Sequence, residues 1–275
     1  MPRLYLSNNS AGYIPATVKG GWEQTAGHVV RGMHSVQDPA FTGVPSSVSL
    51  TENSASANFD VLLIRAISAP LAADWTFSGT VNLMLAAMEN GSDADYAFCL
   101  HVYVTQGNSD TVRGTLLATY ADPLANEWSA VSAIGKALAS AQALSSIAAL
   151  AGDRIVVEVG YRSYNTMTSS RYGLLYYGGN GSDLAAGGAA TSGIGYVDFS
   201  DAFTLANSPV LRVSQTALET LSRPTTATLR ISQTAQEVLR HPIPPFRVTQ
   251  LAVEVLRKNG APVVASQGGM LIIAT

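Results

Sequence analysis

The chain has 275 residues and a net charge of −3, and only 13% of its residues are charged although 47% are hydrophobic. Soluble globular proteins carry about 25% charged residues, so this chain either covers its surface with uncharged polar residues or buries much of it against other subunits. The single cysteine, Cys99, excludes an intrachain disulfide and a Cys-x-x-Cys metal site.

Residues 1–55 are predicted to form an N-terminal arm followed by the first strand or two of a larger sheet. They are rich in glycine and proline, which interrupt regular elements. Trp22, in the stretch VKGGWEQTAG, is a candidate packing anchor because a tryptophan ring buries a large apolar area.

Residues 56–206 are predicted to form a β-sandwich domain. Stretches such as FDVLLIRAIS and YAFCLHVYVT are rich in β-branched and aromatic residues, and turn sequences such as Asn90-Gly91 separate them. About seven or eight short strands without regularly alternating helices are typical of an all-β, antiparallel sandwich with a jelly-roll-like architecture, and not of a parallel α/β sheet.

Two stretches of this domain carry more specific expectations. The stretch DRIVVEVGYR alternates apolar residues with polar ones, which predicts a strand with Ile155, Val157 and Val159 on one face. Arg154 and Glu158 are expected off that face, and Tyr161 is a candidate for the same side. The alanine-rich residues 135–152 are compatible with a helix that ends at Gly152, but we expect a mostly extended connection.

A repeated motif distinguishes residues 207–275 from the rest of the chain. Prolines separate the units and act as turns. A unit this short cannot bury its own apolar face, so the copies are predicted to stack on one another or on neighbouring chains. The units are LRVSQTALETL at 211–221, LRISQTAQEVL at 229–239 and FRVTQLAVEVL at 246–256.

Each repeat begins with an apolar-Arg-apolar triplet, and these triplets are the candidate assembly interface. The first half of each unit has the pattern of a strand, whereas the second half fits either a short strand or a short helix. Seven basic and three acidic residues lie in 207–259, but the arginines recur once or twice per repeat without clustering, so nucleic-acid binding is not expected. The candidate interface residues are Leu211, Arg212, Val213, Leu229, Arg230, Ile231, Phe246, Arg247 and Val248.

No catalytic or metal-binding constellation emerges from the sequence. The histidines include no ligand-spaced pair, and the sequence lacks a Walker loop, a nucleophile elbow and a dinucleotide fingerprint. Asp93, Asp95 and Asp110 lie in turn sequences whose oxygens could bind calcium, but their spacing is not that of an EF-hand, so turn formation is favoured. We expect neither an enzyme nor a cofactor. No apolar run reaches the ~18 residues of a membrane span, and the first residues lack a signal peptide's apolar run, so we expect synthesis in a cytoplasm without membrane insertion.

Three tyrosines of the stretch SRYGLLYYGG are candidate glycan contacts, because exposed aromatic rings stack on sugars. Aromatic residues also serve in cores and interfaces, and the sequence alone does not separate these roles. The three residues are Tyr172, Tyr176 and Tyr177.

The motifs LRVSQ, LRISQ and FRVTQ resemble the (L/V)RV(S/T)Q repeats near the ends of structural proteins of tailed bacteriophages. The preceding stretches LYLSNNSAGYIPA, LHVYVTQGNSDTVRGTLLATY and AGDRIVVEVGYR resemble the jelly-roll-like domains of the same virion proteins. This resemblance implies a structural component of the phage particle, such as a fibre, tail, collar or capsid decoration protein, that forms homo-oligomers and binds other virion proteins. A module of a phage adhesion protein that binds host-surface glycans is the alternative.

Overall fold

The chain divides into two units, Met1–Val210 and Leu211–Thr275. In the second unit the described residues form two short antiparallel strands, Ala265–Gln267 and Met270–Ile272. The three repeats, at 211–256, lie outside the described residues, so their local structure stays a prediction. A computed structural model describes residues 2–8, 17–37, 45–54, 56–179, 181–206, 265–267 and 270–272.

Strands account for nearly all of the regular structure in the first unit. The described residues form no α-helix, and therefore none that could cross a membrane; their one helical element is a 3₁₀ turn at Leu124–Asn126. The predicted all-β class is confirmed. The strands are β1 (Arg3–Leu6), β2 (Val29–His34), β3 (Ser46–Glu52), β4 (Phe59–Ser68), β5 (Trp75–Phe77), β6 (Thr80–Glu89), β7 (Tyr96–Thr105), β8 (Val112–Ala121), β9 (Ile134–Ala137), β10 (Gln142–Ala143), β11 (Ile147–Ala149), β12 (Arg154–Ser163), β13 (Arg171–Tyr177) and β14 (Tyr196–Phe199).

Twelve of these strands form one sheet, in the order β3-β13-β6-β14-β1-β2-β4-β12-β7-β8, with β9 and β10 also paired to β6. Strands β5 and β11 pair separately. Strands β2 and β4 run parallel, while the other paired strands of this sheet are antiparallel. The predicted antiparallel arrangement is therefore wrong in one respect, because the sheet is mixed. The chain passes from β2 to β3 at the edge of the sheet, and β4 then lies beside β2 and runs in the same direction.

Strands from distant parts of the sheet share one hydrophobic core. Tyr161 on β12 packs against the backbone of Gly173 on β13, where an added Cβ would lie 2.5 Å from the Tyr161 ring. The Trp128 ring meets the same tyrosine edge-on, with centroids 5.7 Å apart. Because β12 and β13 are far apart in the strand order, the sheet must curve until these two strands face each other.

Strand β12 shows the predicted alternation with one correction. Val157 and Val159 enter the core, and Glu158 lies on the opposite face. Tyr161 shares the apolar face and does not lie with Glu158, because its position two residues beyond Val159 keeps the period of two. Its hydroxyl donates to the carbonyl oxygen of Leu50 at 3.1 Å, which satisfies the polar end of the buried ring.

The alanine-rich residues 135–152 are extended, as expected. Strands β9 and β10 pair with β6, and β11 pairs with β5. The absence of a side chain at Gly135 lets this segment lie close to the backbone of Ala185, since a Cβ added at Gly135 would lie 2.2 Å from the carbonyl oxygen of Ala185. Pairing with neighbouring strands therefore outweighs the helix propensity of alanine.

Gly160 lies on β12 where the pairing register with β4 shifts. A Cβ added at this position would lie 1.8 Å from the carbonyl oxygen of Val61. We expect Gly160→Ala to lower the free energy of unfolding by about 2 kcal/mol, because the backbone of β4 must move to admit the methyl group. Urea unfolding measures this change.

Gly21→Ala is the matched control for this substitution. The nearest atom to a Cβ added there, Thr119 Oγ1, is 3.9 Å away, so its effect should stay within about 0.5 kcal/mol. Equal stability of the two variants would contradict the expectation.

Candidate functional site

The three candidate glycan tyrosines of β13 do not share one surface. Tyr172 is 37% exposed, whereas Tyr176 packs against Leu184. Tyr177 is buried on the core side, and its hydroxyl accepts a hydrogen bond from Arg31 Nη2 at 2.9 Å. Alternation along β13 places Tyr172 and Tyr176 on the outer face and Tyr177 on the inner one. The interface candidates of the repeats lie outside the described residues.

A different pair of tyrosines lies on neighbouring strands at the outer face of the sheet. Tyr5 on β1 is directly opposite Tyr196 on β14, and the two rings meet edge to face with centroids 6.2 Å apart. Arg3 is opposite Asp198 in the same register, and its guanidinium carbon lies 3.7 Å from the centroid of the Tyr196 ring. Together with Asp183, these residues form the outer-face cluster.

Alternation along the two strands explains the outward position of the cluster. Leu4 on β1 and Val197 on β14 are fully buried in the core, so the residues on either side of them point to the other face. The sequence signal for the cluster is the spacing Arg-x-Tyr in RLYL and Tyr-x-Asp in YVDF. Sequence reasoning missed it because Arg3 and Asp198 are 195 residues apart, and only the pairing of β1 with β14 joins them.

Hydrogen bonds fix the cluster in one arrangement. Arg3 Nε and Nη2 donate to the two oxygens of Asp198 at 2.8 and 3.0 Å, a bidentate pair. Arg3 Nη1 donates to Asp183 Oδ2, while Asp183 Oδ1 accepts from the Tyr5 hydroxyl at 2.9 Å and from Gln37 Nε2 at 3.0 Å. The hydrogen bond to Asp198 raises the pKa of Arg3, and burial together with Asp183 raises the pKa of Tyr5, so the tyrosine is a donor near neutral pH.

The outer-face cluster is open to solvent. The side chains of Arg3, Asp183 and Asp198 are 32%, 39% and 32% exposed. A cavity of about 10 Å³, which has room for about one water molecule, adjoins it and is lined by Tyr5 and Asn8. Within the described part of the chain, the side-chain amide atoms of Asn8 are buried and have no hydrogen-bond partner.

A second polar site lies on the outer face of β12, beneath residues 17–24, which form the N-terminal strap. Glu158 is fully buried there, and its carboxylate accepts hydrogen bonds from four donors, which satisfy it. This one side chain therefore makes several of the hydrogen bonds that fasten the strap to the sheet. The donors are the backbone amides of Lys19 and Gly20, the indole of Trp22 and the hydroxyl of Tyr103, at 3.0, 2.7, 2.9 and 3.1 Å.

Other polar residues flank Glu158 in a row across the sheet. Glu158 pairs in register with Arg65 on β4 and with His101 on β7. Burial lowers the pKa of His101, while Glu158 acts in the opposite direction, so the imidazole is neutral at neutral pH. Thr119 Oγ1 lies 3.4 Å from His101 Nδ1 and accepts a hydrogen bond from the Gly21 amide at 3.0 Å.

Thr119, His101 and Glu158 in this row are of the residue types that serve as a nucleophile, a base and an acid. Their hydrogen bonds, however, are those of a structural anchor. The carboxylate of Glu158 is fully used by the strap and Tyr103. The hydroxyl of Thr119 also accepts from the strap, which covers the row. The row therefore serves to hold the N-terminal strap against the sheet.

Acidic side chains gather near the end of β6. Glu89 is 1% exposed, and burial raises its pKa to about 7, although its carboxylate accepts a hydrogen bond from the Tyr96 amide at 2.8 Å. Asp93 pairs with Arg171 at 2.8 Å, and this hydrogen bond lowers the pKa of Asp93. In the described ranges, no three His, Cys, Asp or Glu side chains are grouped so that they could hold a metal ion.

The fold and these clusters define an all-β protein with polar networks on the outer faces of its sheet. Its sequence matches no family model and no curated protein. Among solved structures, a CocE/NonD family hydrolase from Staphylococcus aureus is similar at 10% identity and a TM-score of 0.35, over 62% of this chain and 34% of that one. An α-amino acid ester hydrolase is similar at 10% identity and a TM-score of 0.36, over 72% of this chain and 36% of that one. The chain spans about a third of each, and TM-scores this low carry no argument about fold or activity.

Proposed function

We propose that the chain is a structural component of a tailed-bacteriophage particle, such as a fibre, tail, collar or capsid decoration protein, that assembles through its C-terminal repeats. The observation that carries the proposal is the motif repeated from residues 211, 229 and 246, which resembles repeats of phage structural proteins. The particle displays the all-β domain, and the repeats contact further copies of the chain and other virion proteins. The protein then resides in the virion, and its role requires no nucleic acid and no cofactor.

A two-layered, jelly-roll-like sandwich is the proposed architecture of the displayed domain. Its support is the shared core of β12 and β13, which are distant in the strand order. Strands β4, β6, β7 and β12 have ten residues each, longer than the usual five or six. Long strands around a single core make a stiff domain, which suits a protein on the surface of a particle.

A non-catalytic role agrees with the way the domain uses its ionisable side chains. Glu158 binds the strap, and Asp60 forms a bidentate pair with Arg162 at 2.7 Å. Asp153 is bonded to Arg113 and to turn amides, including that of Leu150 at 2.8 Å. These carboxylates hold strands and turns together, so we propose that the protein is not an enzyme.

The assembly role predicts an order among substitutions in the repeats. Val248→Asp or Ile231→Asp should abolish oligomers, because an unpaired charge would enter an apolar contact worth about 1.5–3 kcal/mol per side chain. Arg230→Gln, the matched control beside Ile231, should leave oligomers intact, since an exposed ion pair contributes about 0–1 kcal/mol. Native mass spectrometry or sedimentation of the full chain measures the oligomers.

The reverse order would contradict the assembly role. If Val248→Asp kept its oligomers while Arg230→Gln lost binding to an acidic partner, the arginines and not the apolar positions would make the contacts. Such binding would also weaken steeply as salt rises. Sedimentation across salt concentrations separates the two outcomes.

Glycan binding by a phage adhesion module is the second candidate function. The observation that favours it is the outer-face cluster, in which Tyr5 and Tyr196 lie on adjacent strands beside carboxylates that are about a third exposed. The β13 tyrosines are divided between the two faces of the strand, so this cluster is the better aromatic surface.

A further inference from the structure

We propose that the outer-face cluster is a binding site for a neutral glycan. It consists of two tyrosine rings, two carboxylates and one guanidinium. The pairing of β1 with β14 brings four of these groups to one face, and Asp183 joins them through its hydrogen bonds with Arg3 and Tyr5. The inference gives the second candidate function a location and does not depend on the assembly role of the repeats. The residues are Arg3, Tyr5, Asp183, Tyr196 and Asp198.

The carboxylates of the cluster have spare acceptor capacity. An ionised carboxylate offers about four lone-pair directions, and the bonds of Asp198 to Arg3 use two of them. Asp183 accepts from Arg3, Tyr5 and Gln37, which use three. Sugar hydroxyls can donate to the remaining directions. Both carboxylates are already oriented by these hydrogen bonds. Binding of a sugar hydroxyl therefore costs little additional side-chain entropy.

The two tyrosines supply the apolar part of the site. A sugar ring has apolar C–H groups on its faces and hydroxyl donors around its rim, so it needs an aromatic surface flanked by acceptors. The rings of Tyr5 and Tyr196 meet at 71°, which makes a corner beside the carboxylates. The guanidinium of Arg3 lies over the ring of Tyr196, so Tyr5 is the ring on which a sugar stacks.

Charge and shape select against other ligands. Two carboxylates and one guanidinium leave the cluster with a net negative charge, which disfavours phosphate, nucleic acid and acidic sugars. The adjoining cavity of about 10 Å³ has no room for an anchoring side chain of a docked peptide. A cationic peptide is the remaining competitor, and its binding would weaken as salt rises, whereas that of a neutral sugar would not.

Saturation-transfer NMR and titration calorimetry on the full chain test the site. The probes are methyl glycosides and trisaccharides of glucose, galactose, mannose and N-acetylglucosamine, with sialyllactose as the acidic comparison and trilysine as the cationic one. We expect a neutral probe to bind in the millimolar range or tighter, with the same affinity at low and high salt. We expect no binding of sialyllactose.

Variants of the cluster locate the binding. Tyr5→Ala should weaken it about tenfold, because the stacking surface is lost. Asp183→Asn changes a residue outside the strands and should weaken binding while a cooperative thermal melt shows that the domain is folded. Tyr172→Ala is the matched control, since Tyr172 is an exposed tyrosine outside the cluster. This variant should bind the neutral probes with the same affinity as the unaltered chain.

Three outcomes would overturn the proposal: no neutral probe binds, binding survives both Tyr5→Ala and Asp183→Asn, or trilysine binds in a salt-sensitive way while the sugars do not. The last outcome would assign the cluster to a cationic partner. Sedimentation of the same variants reports assembly separately, so failure of the glycan site and failure of the assembly role are distinguishable.

Discussion

Glu158→Ala should lower the free energy of unfolding of the β domain by about 4 kcal/mol, because several hydrogen-bond donors lose their buried acceptor. Its carboxylate is fully buried and holds the N-terminal strap, the Trp22 indole and the Tyr103 hydroxyl. Removal leaves these donors without an acceptor.

Urea unfolding measures the loss of stability, and hydrogen exchange at the Lys19 and Gly20 amides reports release of the strap. Glu127→Ala is the matched control, because Glu127 is exposed, and its effect should stay within about 0.5 kcal/mol. Slow exchange of both amides in Glu158→Ala would show that the strap does not depend on this carboxylate.

A double-mutant cycle isolates the bond between Glu158 and Trp22. Trp22→Phe removes the indole donor and keeps an aromatic ring, and it should cost about 1 kcal/mol in the unaltered chain. In a Glu158→Ala background the same substitution should cost almost nothing, because the acceptor is already gone. Equal costs in the two backgrounds would mean that the indole bond contributes nothing to stability.

Glu89→Gln should stabilise the protein increasingly as pH rises. Burial raises the pKa of the Glu89 carboxyl to about 7 from its ordinary value of 4.5, so the folded state favours the protonated form. The stability that this preference contributes is fully present below about pH 4.5 and is lost as pH rises through about 7. We expect the stability difference between variant and unaltered chain to grow by about 3 kcal/mol from about pH 4 to pH 8.

The difference in stability between Glu89→Gln and the unaltered chain isolates the titration of the Glu89 carboxyl. Glutamine keeps an oxygen that can accept the hydrogen bond from the Tyr96 amide, so the geometry of the site is retained. The lowered pKa of His101 affects stability in the opposite direction, because the stability contributed by its neutral form is lost as pH falls. His101 is present in both the variant and the unaltered chain, so this effect cancels in the difference between them. A stability difference for Glu89→Gln that stays constant with pH would show that the carboxyl is ionised in the folded state across this range.

The strands were predictable because their signals are local. The alternation in β12 follows from the period of two, and it failed only for Tyr161, whose large amphipathic side chain suits either face. Residues 135–152 show the limit of local propensity: alanine favours a helix in isolation, yet pairing with β5 and β6 keeps these residues extended.

The polar clusters were less predictable than the strands. Glu158 has the pattern of a solvent-facing residue, and it is buried because the N-terminal strap, more than 130 positions earlier, folds over it. The outer-face cluster depends in the same way on β14 reaching β1. Its residues have ordinary strand spacings, so nothing in either short stretch distinguishes them from other strand residues.

The sequence by itself determined the all-β class, most strand positions and the existence of the three C-terminal repeats, because each depends on the order of side chains within about ten neighbouring residues. Only the tertiary structure decided the parallel pairing of β2 with β4, the burial of Glu158 and Glu89, and the meeting of Tyr5 with Tyr196. These features depend on which distant strands become neighbours. That choice is made by the sum of many weak core contacts, which no short stretch of sequence contains.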